Sequence, residues 1–180
     1  MRIVPTEIPE VLYVEPKVFR DDRGLFYECF REDAFRAAGV DVRFVQHNQA
    51  RSVAGTLRGL HFQSSPGQAK LVRATRGRVW DVAVDIRPES PTFRRWVARE
   101  LSADNCALLY VPVGFAHGYA ALEDADVHYL CSAYYDPKTE AGIAWNDPEV
   151  GVAWPIAEPL LSARDQKAPL LRELLPAGAP

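Results

Sequence analysis

The sequence predicts an all-β protein of the jelly-roll type, and three observations lead to this prediction. Short strand-like segments rich in β-branched and aromatic residues follow one another at near-regular spacing. Turn sequences such as 22–24 (Asp-Arg-Gly) and 65–67 (Ser-Pro-Gly) separate them. Within segment 78–87 the residues alternate, so that large apolar side chains share one face while Asp81 and Asp85 share the other. Many short strands of this kind are typical of an antiparallel sandwich or barrel.

The elements are predicted as follows. Strands are expected, in chain order, at 11–18, 25–30, 42–46, 57–63, 70–74, 78–86, 93–100, 108–111 and 127–133. Helices are few and peripheral: one at 32–38 that ends at Gly39, one from 162 onward, and a last turn that Pro169 starts and that runs through Leu175. Because no linker or shift in composition interrupts the chain, residues 1–180 are predicted to form a single domain.

Composition excludes several classes of protein. The chain is 48% hydrophobic and 25% charged, and its net charge of −3 gives no overall attraction to nucleic acid or an anionic membrane. An anionic ligand must therefore be held by local arginines and lysines. No apolar run approaches the ~20 residues of a membrane span, and no signal peptide is visible. The three cysteines, Cys29, Cys106 and Cys131, are predicted to be reduced thiols in a cytoplasmic protein.

Segment 55–63 combines the composition of a buried strand with two basic side chains. Arg58 and His61 cannot lie in a core without partners. Three residues apart, they would point to opposite faces of a regular strand. Gly59 lies between them, and a bulge at this glycine would direct both into one pocket. The alternative is that Arg58 extends into solvent and His61 is a hydrogen-bonded core histidine.

Segment 112–117 contains Pro-x-Gly-x-x-His, the second half of the cupin signature, in which a turn directs His117 into a barrel. The first half would require His-x-His and a following glutamate for a metal. The corresponding place reads His-Phe-Gln at 61–63, and Lys70 adds a positive charge nearby. The sequence therefore predicts a cupin-type barrel without a metal site, in which His117 is an unliganded pocket histidine.

Two further segments carry groups suited to a nucleotide. Segment 19–28 combines arginines, acids, aromatic residues and a glycine turn, which suit a phosphate and a stacked base. It also fits an edge hairpin with a solvated turn. Gln46 and Asn48 follow a predicted strand and offer amides for a base or sugar, although such amides are common in ordinary loops.

Two tyrosines and one aspartate are candidates for proton chemistry. On an unbroken strand Tyr129 and Tyr135 would share a face about 20 Å apart, so a single proton donor is favoured over two. Each also fits a tyrosine anchored in a barrel wall. Asp165 follows Ser162, which reads as a helix N-cap, and the carboxylate would complement the helix dipole. Alternatively, Asp165 folds back and hydrogen-bonds the imidazole of His61.

Taken together, these blocks resemble the dTDP-4-dehydrorhamnose 3,5-epimerase family of nucleotide-sugar enzymes. The matching motifs lie at 18–28, 44–48, 55–63, 81–87, 90–93, 112–117, 129, 142–145, 147–148, 154–155 and 161–170. The resemblance implies a cytoplasmic cupin jelly-roll homodimer without metal or organic cofactor. Its implied substrate is a dTDP-4-keto-6-deoxy sugar, epimerised at C3 and C5.

The resemblance also implies a role for each site residue. His61 matches the base, oriented by Asp165; Tyr129 matches the acid, and Lys70 suits the developing enolate. The residues expected to bind substrate are Phe19, Arg23, Phe26, Glu28, Gln46, Asn48, Arg58, His117 and Tyr135. Loop 61–70 is about one residue shorter than in some members of the family, which leaves the reach of Lys70 open.

Three other functions are compatible with parts of this pattern. A single-carbon epimerase, acting at C3 or C5 only, would carry the same base and acid. A non-catalytic cupin would bind the nucleotide sugar without proton exchange. A metal-dependent cupin isomerase or oxygenase would require a bound transition metal.

Overall fold

A computed structural model describes residues 1–175 and consists mainly of β-strands. The strands are β1 (Arg2–Pro5), β2 (Leu12–Glu15), β3 (Phe19–Asp21), β4 (Gly24–Phe26), β5 (Gln46–Ser52), β6 (Leu57–Gln63), β7 (Lys70–Arg76), β8 (Arg78–Asp85), β9 (Trp96–Ser102), β10 (Leu108–Val111), β11 (Phe115–Ala121), β12 (Ala125–Cys131) and β13 (Glu140–Gly142). The helices are α1 (Glu32–Ala37), a 3-10 helix (Asp165–Lys167) and α2 (Leu171–Leu174). Residues 176–180 of the predicted domain lie outside the described part of the chain.

The strands form two large antiparallel sheets and one hairpin. The six-stranded sheet has the order β1-β2-β10-β7-β12-β5, and the five-stranded sheet has the order β13-β6-β11-β8-β9. β3 and β4 pair only with each other. Apart from the consecutive pairs β1–β2 and β8–β9, neighbours in each sheet come from distant parts of the sequence, as in a jelly roll, and the predicted fold class is confirmed. No helix among the described residues has the length and apolar character needed to cross a bilayer.

Strand β8 has the two faces that its alternation predicts. Ala83 faces the core between the sheets, whereas Val82 and Val84 belong to a second core on the outer face of the five-stranded sheet. The C-terminal part of the chain covers that outer face through residues such as Ile143 and Leu171, which are 0% and 2% exposed. Burying one such side chain contributes about 1.5–3 kcal/mol, so this packing holds the C-terminal segment on the barrel.

Several elements differ from the prediction, and β1, β3 and β13 were not among the predicted strands. Segment 41–45 forms no strand, and the strand begins instead at Gln46 and continues to Ser52. Its polar sequence concealed it, because β5 is an edge strand with few buried residues. β11 was not predicted as a strand, and only a turn was expected around His117. The strand is rich in glycine and alanine, which are uncommon in strands. The predicted strand 25–30 is also shorter, and only Gly24–Phe26 pairs.

Small residues in β11 are explained by its close approach to β6. His117 pairs with His61 and Tyr119 pairs with Arg58, so two residues of β6 oppose one of β11. This is the predicted bulge at Gly59, where φ is +130° and the following peptide bond is cis. A Cβ atom on Gly118 would lie 2.6 Å from the carbonyl oxygen of Arg58. Only glycine, which has no Cβ atom, avoids this clash.

We expect Gly118→Ala to destabilise the fold by about 2 kcal/mol or more, because the added methyl group meets backbone rather than a movable side chain. Gly39→Ala is the matched control: its φ is +85° but nothing lies within 4 Å of the added Cβ, so only about 1 kcal/mol of backbone strain is expected. Urea unfolding of both variants measures the difference. A smaller loss for Gly118→Ala than for Gly39→Ala would contradict the close-approach account.

Candidate active site

Two cavities of about 520 Å³ and about 500 Å³ adjoin each other at the barrel. His61, Lys70 and Tyr129 line both. The first cavity is also lined by Thr56, Arg58, His117, Tyr119, Arg164 and Asp165. The second is also lined by Gln46, Asn48, Gln63, Gln68, Tyr135 and Glu140. The structure therefore brings together most of the residues that the sequence singled out.

His61 is hydrogen-bonded to a buried carboxylate. Its Nε2 atom lies 2.6 Å from Oδ1 of Asp165, which is 4% exposed. Burial raises the pKa of Asp165, but the hydrogen bond and charge interaction with His61 and a hydrogen bond from Ser162 outweigh it and lower the pKa. The carboxylate is therefore ionised and can only accept. It follows that Nε2 carries a proton, which leaves Nδ1 of a neutral imidazole as the basic nitrogen.

Backbone pairing brings Asp165 to the barrel. Leu57 N donates to Leu160 O at 3.0 Å, and Leu160 N donates to Gly55 O at 2.8 Å, which aligns the C-terminal segment beside β6. Asp165 N then donates to Ser162 Oγ at 3.0 Å. The carboxylate therefore reaches the imidazole, and Ser162 Oγ accepts from the backbone N–H of Asp165. The predicted N-cap role of Ser162 is wrong, because Arg164 is the N-cap of the 3-10 helix and no side chain caps it.

A second histidine–aspartate pair lies close to the first. His117 Nε2 is 3.0 Å from both carboxylate oxygens of Asp81, and the two residues are 7% and 0% exposed. His117 is thus a pocket histidine that is fixed by a carboxylate. No residue of the described range 1–175 belongs to a group of three or more His, Cys, Asp or Glu arranged to hold a metal ion. The expected absence of a metal stays a prediction.

Lys70 lies at the junction of the two cavities. Its ammonium group is enclosed and donates to the carbonyl oxygen of His61 at 3.5 Å. Burial lowers the pKa of Lys70, while nearby Cys131, Asp81 and Glu140 act in the opposite direction. Although loop 61–70 is short, Lys70 therefore reaches both cavities.

Tyr129 and Tyr135 reach the site from one strand and its continuation. Burial is the main cause that raises the pKa of Tyr129, so its phenol stays protonated at neutral pH. β12 ends at Cys131, and the expected unbroken strand to Tyr135 is wrong. The chain turns, and the hydroxyl of Tyr135 donates to Glu140 Oε2 at 2.8 Å. Both tyrosines consequently line the second cavity.

The amides of β5 lie in the second cavity rather than in a loop. Gln46 Nε2 donates to Asn48 Oδ1 at 3.0 Å, and Gln46 Oε1 accepts from the backbone N–H of Tyr135 at 2.9 Å. The two amides are therefore fixed relative to each other, and both residues line the second cavity.

The β3–β4 hairpin lies apart from both cavities. Phe19, Arg23 and Phe26 line a separate surface cavity of about 450 Å³, and Glu28 follows the hairpin without lining either central cavity. Phe26 is 72% exposed and Phe19 is 53% exposed. Within one chain these four predicted substrate-binding residues do not meet the other site residues.

Sequence reasoning missed four residues that shape the site: Asp81, Tyr119, Glu140 and Arg164. Asp81 interrupts an apolar strand, and this was the one available signal. Arg164 Nη1 donates to Glu140 Oε2 at 2.6 Å, and nothing in the sequence around either residue signals such a contact.

Comparison with known proteins places the chain in a family. The sequence model of the dTDP-4-dehydrorhamnose 3,5-epimerases matches residues 5–173. The dTDP-4-dehydrorhamnose 3,5-epimerase of Salmonella typhimurium is 49% identical over 97% of this chain and 98% of its own.

Solved structures give the same result. The dTDP-6-deoxy-D-glucose-3,5-epimerase of Legionella pneumophila, in complex with dTDP-4-keto-L-rhamnose, superposes with a TM-score of 0.93 at 45% identity over 97% of both chains. A 3'-monoepimerase of Streptomyces bikiniensis, in complex with dTDP-quinovose, gives 0.88 at 41% identity over 94% of this chain and 87% of its own. With its cupin-type jelly roll and this extent of similarity, the chain belongs to the dTDP-4-dehydrorhamnose 3,5-epimerase family and is an isomerase-class enzyme.

Proposed function

We propose that the chain inverts C3 and C5 of dTDP-4-dehydro-6-deoxy-D-glucose to give dTDP-4-dehydro-L-rhamnose. The observation that carries the proposal is the 2.6 Å bond between His61 and buried Asp165, in a cavity that Lys70 and Tyr129 also line. The complex of the Legionella relative with dTDP-4-keto-L-rhamnose supports this choice of substrate.

The substrate's own carbonyl makes the chemistry feasible. A ketone at C4 acidifies the hydrogens on both neighbouring carbons, so one base can remove a proton from either carbon. His61 is that base in the proposal, acting through Nδ1 while Asp165 holds the protonated Nε2. Asp165 also stabilises the imidazolium that forms.

Loss of the proton places negative charge on the C4 oxygen. Lys70 is the proposed partner of this enolate, because it is a compact cation at the junction of the two cavities. Tyr129 then returns a proton to the opposite face of the carbon, which completes the inversion. Its raised pKa suits a group that must hold its proton until the enolate forms. The base, the acid and the cation all come from the chain, so the proposal includes no metal or organic cofactor.

The hairpin supports a homodimer. Phe19, Arg23, Phe26 and Glu28 have the chemistry for a nucleotide but lie outside the two cavities of their own chain. The exposed phenyl groups of Phe19 and Phe26 form an apolar surface on this hairpin. We therefore include in the proposal that a second copy brings this hairpin to the nucleotide end of the cavity. A light-scattering mass near that of one chain would contradict this part.

Incubation of the enzyme with dTDP-4-keto-6-deoxyglucose in deuterium oxide tests the function. We expect deuterium at both C3 and C5 and formation of the inverted sugar. Label at one carbon only would favour a single-carbon epimerase. This is the second candidate function, because the chain is also similar to the Streptomyces 3'-monoepimerase. Binding of dTDP without any label would instead indicate a non-catalytic cupin.

In the same assay, His61→Ala is expected to lower exchange at both carbons by about 10²–10⁴-fold, the usual contribution of a general base. Tyr129→Phe is expected to slow inversion more than the initial loss of the proton. His128→Ala is the control, since His128 lies on a different surface and lines neither central cavity. Equal inversion rates for Tyr129→Phe and the unmodified enzyme would remove Tyr129 from the acid role.

The pKa of Lys70 gives a prediction for pH dependence. Because burial lowers this pKa, the ammonium loses its charge at a lower pH than an ordinary lysine, whose pKa is about 10.4. We expect kcat to fall on the alkaline side below that value. Lys70→Arg keeps its charge at high pH and should lack this fall, although its kcat will be lower. An identical alkaline profile for both proteins would contradict the assignment.

A further inference from the structure

Two buried hydroxyl groups that the proposed reaction does not use hold the side chain of Arg58. Arg58 Nε donates to Ser52 Oγ at 2.9 Å, and Ser52 Oγ lies 3.0 Å from the hydroxyl oxygen of Tyr119. Ser52 and Tyr119 are each 4% exposed, whereas Arg58 is exposed and lines the first cavity together with Tyr119. A chain of hydrogen bonds thus runs from the barrel interior to a charged group in the cavity.

The two hydroxyl groups of this chain of hydrogen bonds carry no charge. Ser52 Oγ accepts the N–H of Arg58, and its only other hydrogen-bond partner within residues 1–175 is the phenol of Tyr119. Burial is the largest cause raising the pKa of Tyr119, so the phenol stays neutral. Both hydroxyl groups are therefore neutral, so they can orient the side chain of Arg58 but add no charge to the cavity.

A second anchor fixes the plane of the guanidinium group. Arg58 Nη2 donates to the carbonyl oxygen of Arg51 at 3.0 Å, and Arg51 is itself bonded through Nε to Asp126 at 2.7 Å. The guanidinium is consequently held at Nε and Nη2, with a further interaction with the phenol of Tyr119, and its remaining N–H groups form its free edge. A guanidinium held in this way presents donors in a fixed geometry that matches two oxygens of a phosphate.

The other cationic groups of the first cavity are already engaged. Arg164 is paired with Glu140, and His61 and His117 are each bonded to a carboxylate. Lys70 is enclosed and assigned to the enolate. Arg58 and Arg164 both keep unused donors, but Arg58 is the one whose guanidinium is anchored at two nitrogens. In a dTDP-sugar the diphosphate carries the full negative charges.

We propose that Ser52 and Tyr119 are positioning residues that orient Arg58 so that its free edge binds the diphosphate of the nucleotide sugar. This inference rests on the proposed function for the identity of the ligand. Fixing a long side chain before binding lowers the entropy lost when the ligand arrives, so removing the anchor weakens binding without removing the charge.

Isothermal titration of dTDP and steady-state kinetics of Tyr119→Phe in the full-length protein test the proposal. We expect the Kd for dTDP and the KM to rise about three- to tenfold, the effect of one side chain that must be ordered on binding. We expect kcat to fall by less than KM rises. Binding of thymidine, which has no phosphate, should not change. Tyr110→Phe is the matched control, because this buried phenol has no hydrogen-bond partner within residues 1–175 and lines neither cavity.

A double-mutant cycle with Arg58→Lys separates positioning from general stability. If Tyr119 acts through Arg58, adding Tyr119→Phe to Arg58→Lys should change the Kd for dTDP less than twofold. Ser52→Ala should raise the Kd for dTDP by the same factor as Tyr119→Phe, and it takes the place of Tyr119→Phe if that variant does not fold.

An unchanged Kd for dTDP in both single variants, or fully additive effects with Arg58→Lys, would overturn the proposal. An enzyme that binds dTDP but lacks epimerase activity would refute the proposed function, while the dTDP titrations would still decide the role of Tyr119.

Discussion

The site depends on one short hydrogen bond between residues that are far apart in the sequence. His61 lies in β6 of the barrel, and Asp165 lies 104 positions later in a segment laid across it. An ionised carboxylate that is 4% exposed is costly without partners, and the imidazole and Ser162 provide them. The same bond orients His61 and leaves one ring nitrogen basic. Packing of the C-terminal segment against the five-stranded sheet is therefore part of the catalytic arrangement.

Around this pair, several polar groups that line the cavities have an identified partner. His117 is bonded to Asp81, Glu140 to Arg164 and Tyr135, and Arg58 to Ser52. In an interior of low dielectric constant such pairs fix the positions of charges before a substrate arrives. Positioned charge of this kind is what an enolate-forming reaction requires, because the transition state develops charge on one oxygen atom.

Much of the architecture could be predicted from the sequence because local rules determine it. The alternation in β8 reflects two buried faces, and the glycine between Arg58 and His61 indicated the bulge that turns both toward one cavity. Motif 112–117 located His117. β5 and β11 were missed because tertiary context outweighs propensity there: β5 is a polar edge strand, and β11 is rich in small residues where it approaches β6.

Contacts between distant side chains could be predicted only as alternatives. Nothing local distinguishes an Asp165 that complements a helix dipole from one that bonds His61, and the structure contains the bond to His61. Tyr119 and Glu140 acquire their significance only through partners in other strands and loops. The role proposed for the hairpin likewise requires a second copy of the chain, which no pattern within one chain encodes.

The central claim is that Asp165 holds the proton of His61 on Nε2 and leaves Nδ1 basic. Nitrogen-15 NMR of protein labelled in its histidines measures this directly, with the His61 signals assigned by their loss in His61→Gln. The account predicts that neutral His61 is the Nε2–H tautomer and that Asp165→Asn loses this preference. A neutral His61 that carries its proton on Nδ1 would contradict the account.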